Sequence, residues 1–300
     1  MGTGIVSVGM ASDNRHTISM VLAAIAAAVW VALGIVLAWR AARDPGRVRR
    51  EAATPAALTA VAATAVLGAR ATGLGSSAVA AALLALAAGI WLVLIWPVMR
   101  GLRRRSAGVA FMVVVSTESL SVLASQLALR EHSGWLLYAS LVLFVLGVVA
   151  YVFVLAGFDF RQLLDGQGDQ WVSGGSLTIS TMAAARLVIG IGGVHQLVAA
   201  SGPLKVATVV LWAVSLAWLP PLIGGEVIRP RLHYEVRRWA TVFPVGMYAA
   251  CSFDAARAVH AAAMHDFARV CVWIGLALWA VVFSAMVWSA GIQRLTRTAA

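Results

Sequence analysis

Charged residues are scarce in this chain of 300 residues. Asp, Glu, Lys and Arg make up 12% of it, whereas they make up about 25% of a soluble globular domain. Apolar residues reach 61%, which is more than a soluble core of this size can bury. The composition therefore argues against a cytosolic enzyme and a disordered chain, and it indicates that lipid is the main solvent.

Cysteine is almost absent, since Cys251 and Cys271 are the only two and both lie in apolar runs. This excludes a disulfide framework and a multi-cysteine zinc cluster, and we expect two buried, unreactive thiols. His195, His260 and His265 follow no metal-ligand spacing, so no metal site is predicted. No bound cofactor is required.

Long apolar runs are what the chain has in abundance. A bilayer core of about 30 Å needs about 20 apolar residues as helix, and ten such segments follow one another, the first of them incomplete. We predict an all-α integral membrane protein that forms a single transmembrane domain over residues 1–300. The predicted spans are 1–10, Ile18–Trp39, Ala52–Thr72, Val79–Met99, Val109–Leu127, Trp135–Leu155, Ser173–Gly193, Leu204–Leu222, Trp239–Ser252 and Phe267–Trp288.

The first segment is too short to cross a bilayer, because ten helical residues rise about 15 Å. It has no basic start, and no full apolar run precedes a cleavage site, so it is not predicted to be a signal peptide. We expect a mis-assigned start codon or a truncated chain.

The net charge of +11 is unevenly distributed along the chain. Of the 23 Lys and Arg residues, 16 lie on connections after even-numbered spans or on the C-terminal tail, and 6 lie on connections after odd-numbered spans. Arg186 lies within the seventh span. Cytoplasmic loops collect Lys and Arg, so both termini are predicted in the cytoplasm, in a multi-pass protein of the inner membrane. The clusters at 47–50 and 103–105 are expected at anionic headgroups, and no nucleic-acid partner is implied.

Odd and even spans differ in their polar and aromatic content. The odd spans carry 18 Ser and Thr residues and the even spans 5, whereas 10 of the 12 tryptophans lie on even spans. Polar groups turn away from lipid, so we predict five helical hairpins whose odd helices form an inner ring around a central polar path. The alternative is that the hydroxyls cap backbone carbonyls or join helices. The candidate pore-lining residues are Ser7, Thr64, Ser116, Thr117, Ser121, Ser180 and Thr181.

Four segments on the odd spans together resemble a known family. They are 1–7 (MGTGIVS), 116–124 (STESLSVLA), 171–181 (WVSGGSLTIST) and 242–248 (VFPVGMY).

The chain is similar over its whole length to the tellurite-resistance/dicarboxylate transporter family, which includes TehA-like proteins and the plant slow-type anion channels. The resemblance implies ten helices in five hairpins around a pore, usually as a homotrimer. It implies passage of chloride, nitrate, sulfite, malate or related dicarboxylates. It also implies a phenylalanine on the ninth helix that plugs the pore, which is Phe243 here.

Phe243 is followed directly by Pro244. A proline inside a helix removes a backbone hydrogen bond and kinks the helix, which would turn Phe243 toward the axis with Met247 one turn further on. An apolar constriction gates by dewetting and steric block. The alternative is a core phenylalanine beside a packing kink.

Glu118 and Arg186 are charges within the fifth and seventh spans. The family more often has an uncharged residue, frequently Gln, at the position of Glu118. A lone ionised carboxylate is costly there, so we predict a Glu118–Arg186 ion pair between adjacent inner helices. The alternatives are a protonatable Glu118 coupled to anion movement, and an Arg186 that offers positive potential to a passing anion. Asp254 and Arg257 are predicted to form a surface pair worth little.

The predicted function is an anion channel or transporter that moves small inorganic anions or C4-dicarboxylates across the cytoplasmic membrane and is occluded at Phe243. The name of the family also suggests a role in tellurite resistance. The alternative is a proton-coupled dicarboxylate (malate-type) or sulfite carrier. An enzyme is not favoured, because the chain has no H-E-x-x-H and Gly174–Thr178 lacks the last glycine of a G-x-S-x-G elbow.

Overall fold

The computed structural model describes residues 1–102, 106–165, 168–191, 195–230 and 234–298. The predictions for Arg103–Arg105, for Gly193 and for the side chain of His195 concern parts of the chain outside this description. The α-helices are α1 (Gly2–Ser12), α2 (His16–Arg43), α3 (Pro45–Ala52), α4 (Thr59–Gly73), α5 (Ser77–Gly101), α6 (Met112–Glu131), α7 (Gly134–Ala156), α8 (Gln162–Asp165), α9 (Trp171–Ile191), α10 (Ser201–Ala217), α11 (Leu219–Ile228), α12 (Trp239–Val259) and α13 (Ala262–Thr298).

Within the part of the chain that the structure describes, eight helical stretches are long and apolar enough to cross a membrane. They are His16–Arg43, Pro55–Gly73, Ser77–Gly101, Gly108–Glu131, Gly134–Ala156, Trp171–Ile191, Leu197–Ile228 and Ala262–Ser289. The prediction of an all-α membrane protein is thus confirmed in its coarse form. The two further predicted spans fall on α1, which has 11 residues, and on α12, which contains Asp254 and Arg257. The count of ten spans remains a prediction.

Burial alternates along the chain. In α6 and α9 the most apolar 18-residue window is 94% and 83% buried, and in the α4 stretch it is 50% buried. In α2, α5 and α13 the value is 11%. Most side chains of α1 and α12 are also buried. The buried helices carry the hydroxyls and the exposed helices present Leu, Val and Trp, as expected where lipid tails are the solvent.

The helices contact one another in a closed order. Among the buried helices, α1 contacts α4, α4 contacts α6, α6 contacts α9, α9 contacts α12, and α12 contacts α1. Each exposed helix (α2, α5, α7, α10 and α13) packs both on the buried helix that precedes it in the chain and on the next buried helix in this order. Glycines permit close approach at some crossings: a Cβ at Gly68 would overlap the side chain of Leu123.

Serine pairs join the two helices of a consecutive pair. Ser7 on α1 and Ser19 on α2 each donate to the other's carbonyl oxygen at 2.7 Å. Ser121 on α6 and Ser140 on α7 repeat this reciprocal arrangement at 2.8 Å. All four hydroxyls are buried, so their hydrogen bonds are made inside the protein, as the apolar surroundings require.

Tryptophans join one pair to the next. Each donates its indole Nε1–H from an exposed helix to a hydroxyl on the buried helix of the following pair. The four bonds are Trp30 to Thr64 at 3.0 Å, Trp91 to Thr117 at 3.1 Å, Trp212 to Ser252 at 2.8 Å and Trp279 to Thr3 at 3.0 Å.

These four tryptophan bonds explain why hydroxyls concentrate on one set of helices and tryptophans on the other. An indole N–H facing hydrocarbon needs an acceptor, and the buried hydroxyl supplies it. The last bond links α13 to α1 and so ties the end of the helical order to its beginning.

We expect Trp91→Phe to lower the free energy of unfolding by roughly 1 kcal/mol, the usual size of an interhelical hydrogen bond in a membrane protein. The measurement is denaturant unfolding in detergent micelles. Combining it with Thr117→Val in a double-mutant cycle isolates the bond.

The matched control is Trp135→Phe, because Trp135 is 71% exposed. The hydrogen bond between Trp91 and Thr117 would be contradicted if Trp135→Phe lowered the free energy of unfolding as much as Trp91→Phe. A double-mutant cycle without coupling between Trp91 and Thr117 would contradict it too.

Candidate functional site

A narrow cavity of about 20 Å³ lies between all five buried helices. Apart from the Ser119 hydroxyl, its lining is apolar, and that hydroxyl is occupied by a 2.6 Å bond to the Val115 carbonyl. A volume of this size holds about one water molecule. We call it the constriction; it is lined by Ile5, Val8, Ala65, Val66, Ala69, Ser119, Val122, Ile179, Met182 and Met247.

A wider cavity of about 690 Å³ adjoins the constriction, because both are lined by Val8 and Ala69. It lies at the end of the protein where α1 connects to α2, α4 to α5 and α6 to α7. All five buried helices contribute to it. We call it the vestibule; it is lined by Val8, Ala11, Ser12, His16, Met20, Ala69, Arg70, Thr72, Gly73, Leu74, Gln126, Leu129, Arg130, Arg186 and Arg257.

Among the described residues, four arginines and no carboxylate border the vestibule. Just behind the lining, Asp254 is fully buried and pairs with two of them. Arg186 Nε lies 2.6 Å from Asp254 Oδ2, and Arg257 Nη2 lies 3.3 Å from Oδ1. The cavity therefore has an excess of positive charge, which concentrates anions at its mouth.

Two predicted charge pairs are corrected by these contacts. Arg186 pairs with Asp254 and not with Glu118, because the guanidinium reaches the neighbouring helix α12 instead of α6. The Asp254–Arg257 contact is not a surface pair, since Asp254 has no exposed surface. The predicted ninth span ended at Ser252, whereas α12 continues to Val259 and encloses Asp254.

Glu118 points away from both cavities. Its Oε1 accepts a hydrogen bond from Ser180 Oγ at 2.9 Å, and its Oε2 has no partner among the described residues. A Cβ built on Gly147 of α7 would overlap the carboxylate. The fully buried Glu118 side chain is thus held where α6 meets α7 and α9.

The seven hydroxyls predicted to line a pore border neither cavity. Ser7 and Ser121 form the serine pairs, Thr64 and Thr117 accept from tryptophans, and Ser180 donates to Glu118. Ser116 and Thr181 donate to carbonyls of their own helices. These contacts match the alternative role of joining helices, and a pore-lining role for these residues remains a prediction.

The candidate gate residues lie on α12, which includes Pro244 in its interior. Pro244 packs against α9 at Gly175, where a Cβ would come within 2.9 Å of the proline ring. Met247 lines the constriction. Phe243 is one turn beyond it on the same face, is 1% exposed and shares a core cluster with Met247.

Sequence reasoning missed most of the lining of the constriction and the vestibule. Ile179 and Met182 gave no signal, because apolar residues on an apolar helix cannot be assigned to a face by composition. Arg70 and Arg130 were counted only as topology signals on connections. The available clue was that Arg70 lies two residues before the end of the third predicted span and Arg130 lies three residues after the end of the fifth.

Buried helices in a closed order, an exposed helical shell and a cationic cavity define a multi-pass helical membrane protein. The family described as voltage-dependent anion channel matches residues 1–287, and the chain belongs to this family. The resemblance carried by the four segments is thereby confirmed. Members of this family are channels or transporters for anions.

Two curated relatives are uncharacterized membrane proteins of Mycobacterium tuberculosis, from strains CDC 1551 / Oshkosh and ATCC 25618 / H37Rv. Each is 30% identical over 121 residues, which is 39% of this chain and 61% of the relative. The chain thus spans about three fifths of the length of the curated relatives it matches. No solved structure shows a significant match to it.

The packing of Glu118 against Gly147 predicts the effect of a single methyl group. We expect Gly147→Ala to lower the free energy of unfolding by about 1–3 kcal/mol, the usual cost of overpacking a core. Denaturant unfolding in detergent measures it.

Gly89→Ala on the neighbouring exposed helix α5 is the control, because no atom lies within 4 Å of a Cβ there. Adding Glu118→Ala to Gly147→Ala should restore part of the loss. Equal effects at Gly147 and Gly89 would contradict this account of the Glu118 site.

Proposed function

We propose that this protein conducts small inorganic anions or C4-dicarboxylates along the axis of its buried helices, from the vestibule through the constriction and past Phe243. The observation that carries the proposal is the vestibule itself, in which four arginines from four different helices border one cavity. Membership of a family of anion channels and transporters supports the same conclusion.

The proposed path has two parts with different physical roles. The arginines of the vestibule raise the local anion concentration. The constriction then offers an anion almost no polar partner, so passage requires the apolar side chains to separate and water to enter. Selectivity in this mechanism comes from electrostatics and width, and the closed state comes from Met247 and Phe243.

The side of the membrane that the vestibule faces is inferred from the distribution of Lys and Arg. It opens beside the connections that are poor in Lys and Arg, and the positive-inside rule places those connections outside the cytoplasm. Phe243 lies 14 residues before Arg257 on the same helix, about 21 Å away along the axis. The gate is therefore proposed near the cytoplasmic half of an inner-membrane protein whose termini are cytoplasmic. A homotrimer is proposed on the family resemblance.

We expect Phe243→Ala to raise anion flux by roughly an order of magnitude or more, because it removes an apolar side chain proposed to close the path. The full chain is reconstituted in liposomes, and efflux of chloride, nitrate, sulfite, malate and succinate is followed.

Phe253→Ala is the matched control, since Phe253 is an equally buried phenylalanine of α12 that packs against His265 at a ring distance of 5.3 Å. Flux unchanged in Phe243→Ala at normal reconstitution yield, or raised equally in both variants, would refute the gate.

The carrier alternative requires a protonatable group that senses the transported anion. Among the described residues, the helices that line the constriction carry three acidic side chains. Glu131 is exposed at the end of α6, and Asp254 is paired with Arg186 and Arg257. Glu118 is buried without a cationic partner and borders neither cavity. We therefore expect Glu118→Gln to keep the same dependence of anion flux on pH as the unmodified protein. Measuring flux at an acidic and a neutral pH tests this, and a pH dependence lost in Glu118→Gln would favour the proton-coupled carrier.

A further inference from the structure

Two arginines of the vestibule converge on the end of α4 and the turn that follows it, Thr72–Gly75. Arg130 Nη1 donates to the Thr72 carbonyl oxygen at 3.3 Å. A Cβ built on Gly73 would lie 3.3 Å from Arg70 Nη1, and one built on Gly75 would lie 3.2 Å from Arg130 Nη2. Both guanidinium groups therefore lie against the same four residues.

Neither guanidinium has an acidic partner in the described part of the chain. No carboxylate oxygen of the described residues lies within 4 Å of Arg70 or Arg130, whereas Arg186 and Arg257 share Asp254. On the α12 side, one carboxylate thus compensates part of the charge of two guanidinium groups. On the α4–α6 side, no carboxylate of the described residues compensates the positive charge.

Arg70 is buried with hydrogen-bonding capacity unused. Its side chain is 8% exposed, its Nε has no partner, and its Nη2 reaches only the Met20 sulfur at 3.7 Å, a weak acceptor. Gln126, also 8% exposed, lines the same cavity and has an amide oxygen without a partner. Buried donors without acceptors are costly in a protein.

A bound anion would resolve all three features. It would separate two like charges, accept from Arg70 Nε, and accept from the Gln126 amide, whose oxygen and nitrogen positions are interchangeable by a flip. A guanidinium presents parallel N–H groups that match the paired oxygens of a carboxylate, nitrate or sulfite, whereas a halide can use only one point of contact.

We propose that Arg70, Arg130 and Gln126 form an oxyanion-binding site in the vestibule, which holds one carboxylate, nitrate or sulfite group before it enters the constriction. This inference rests on the proposed function for its physiological meaning, and it deepens that proposal by naming the anion class. It makes the approach to the path saturable and favours oxyanions over chloride.

The test is ligand-dependent thermal stability of the full chain in an uncharged detergent, titrated with succinate, nitrate or chloride. A ligand that binds only the folded state raises its stability with concentration. We expect saturable stabilisation by succinate and nitrate and a much weaker effect of chloride.

Variants assign the effect to the site. Arg70→Gln and Arg130→Gln should each raise the half-saturating oxyanion concentration by at least roughly tenfold, the loss expected for a charge-assisted hydrogen bond. Arg70→Lys keeps the positive charge but loses the parallel N–H groups of the guanidinium. Oxyanion binding should therefore weaken, while the stabilisation by chloride should stay unchanged. Arg70→Gln should remain folded without anion, because it removes a buried unpaired charge.

Arg269→Gln is the matched control, since Arg269 pairs with Asp13 at 3.5 Å, is half exposed and lines neither cavity. Loss of binding in Arg269→Gln equal to that in Arg70→Gln would overturn the site in favour of general electrostatics. Stabilisation by an anionic phospholipid such as phosphatidylglycerol, with none by soluble anions, would overturn it in favour of a headgroup contact.

Binding and conduction can fail separately in these experiments. Oxyanion binding without flux in Phe243→Ala would leave the site standing and refute the proposed conduction. Flux in Phe243→Ala without saturable oxyanion binding would refute the site and leave conduction standing.

Discussion

The requirement that every polar group within hydrocarbon be satisfied inside the protein governs this structure. Indole N–H groups on exposed helices reach hydroxyls on buried helices at Thr3, Thr64, Thr117 and Ser252. Serine pairs do the same within consecutive helix pairs. Since lipid offers no hydrophobic drive for helices to associate, these bonds and close packing hold the helices together.

This use of the hydroxyls explains the character of the constriction. With Ser7, Ser121 and Ser180 engaged between helices, the surface left facing the axis is that of Val8, Val122, Ile179 and Met182. Among the described residues that line the two cavities, charged side chains occur in the vestibule, where the helices end, and not in the constriction. The same sequence alternation that suggests a polar interior therefore produces an apolar centre with a charged mouth.

The charges show how far sequence reasoning reached. That Glu118 and Arg186 lie inside the membrane region followed from their positions in apolar segments, but their partners did not. Each is on a helix with several neighbours, and which neighbour it meets depends on the rotation of that helix. Arg186 meets Asp254 on α12, and Glu118 meets Ser180 on α9 and Gly147 on α7. The Arg186–Asp254 pair was missed because the ninth span was predicted to end at Ser252. That boundary assigned Asp254 to a surface connection, whereas α12 includes it.

Sequence alone determined that the protein is a helical membrane protein of the anion-channel family. Its composition and the length of its apolar runs decide whether helices are stable in a bilayer, and the four segments show the resemblance to the family. It also determined which helices bear hydroxyls and which bear tryptophans. Only the tertiary structure decided what those groups contact, which arginines lack a carboxylate, and where the axial cavity narrows. Those properties depend on how each helix is rotated about its axis, and a helix whose faces are nearly equally apolar does not encode that rotation in its own sequence.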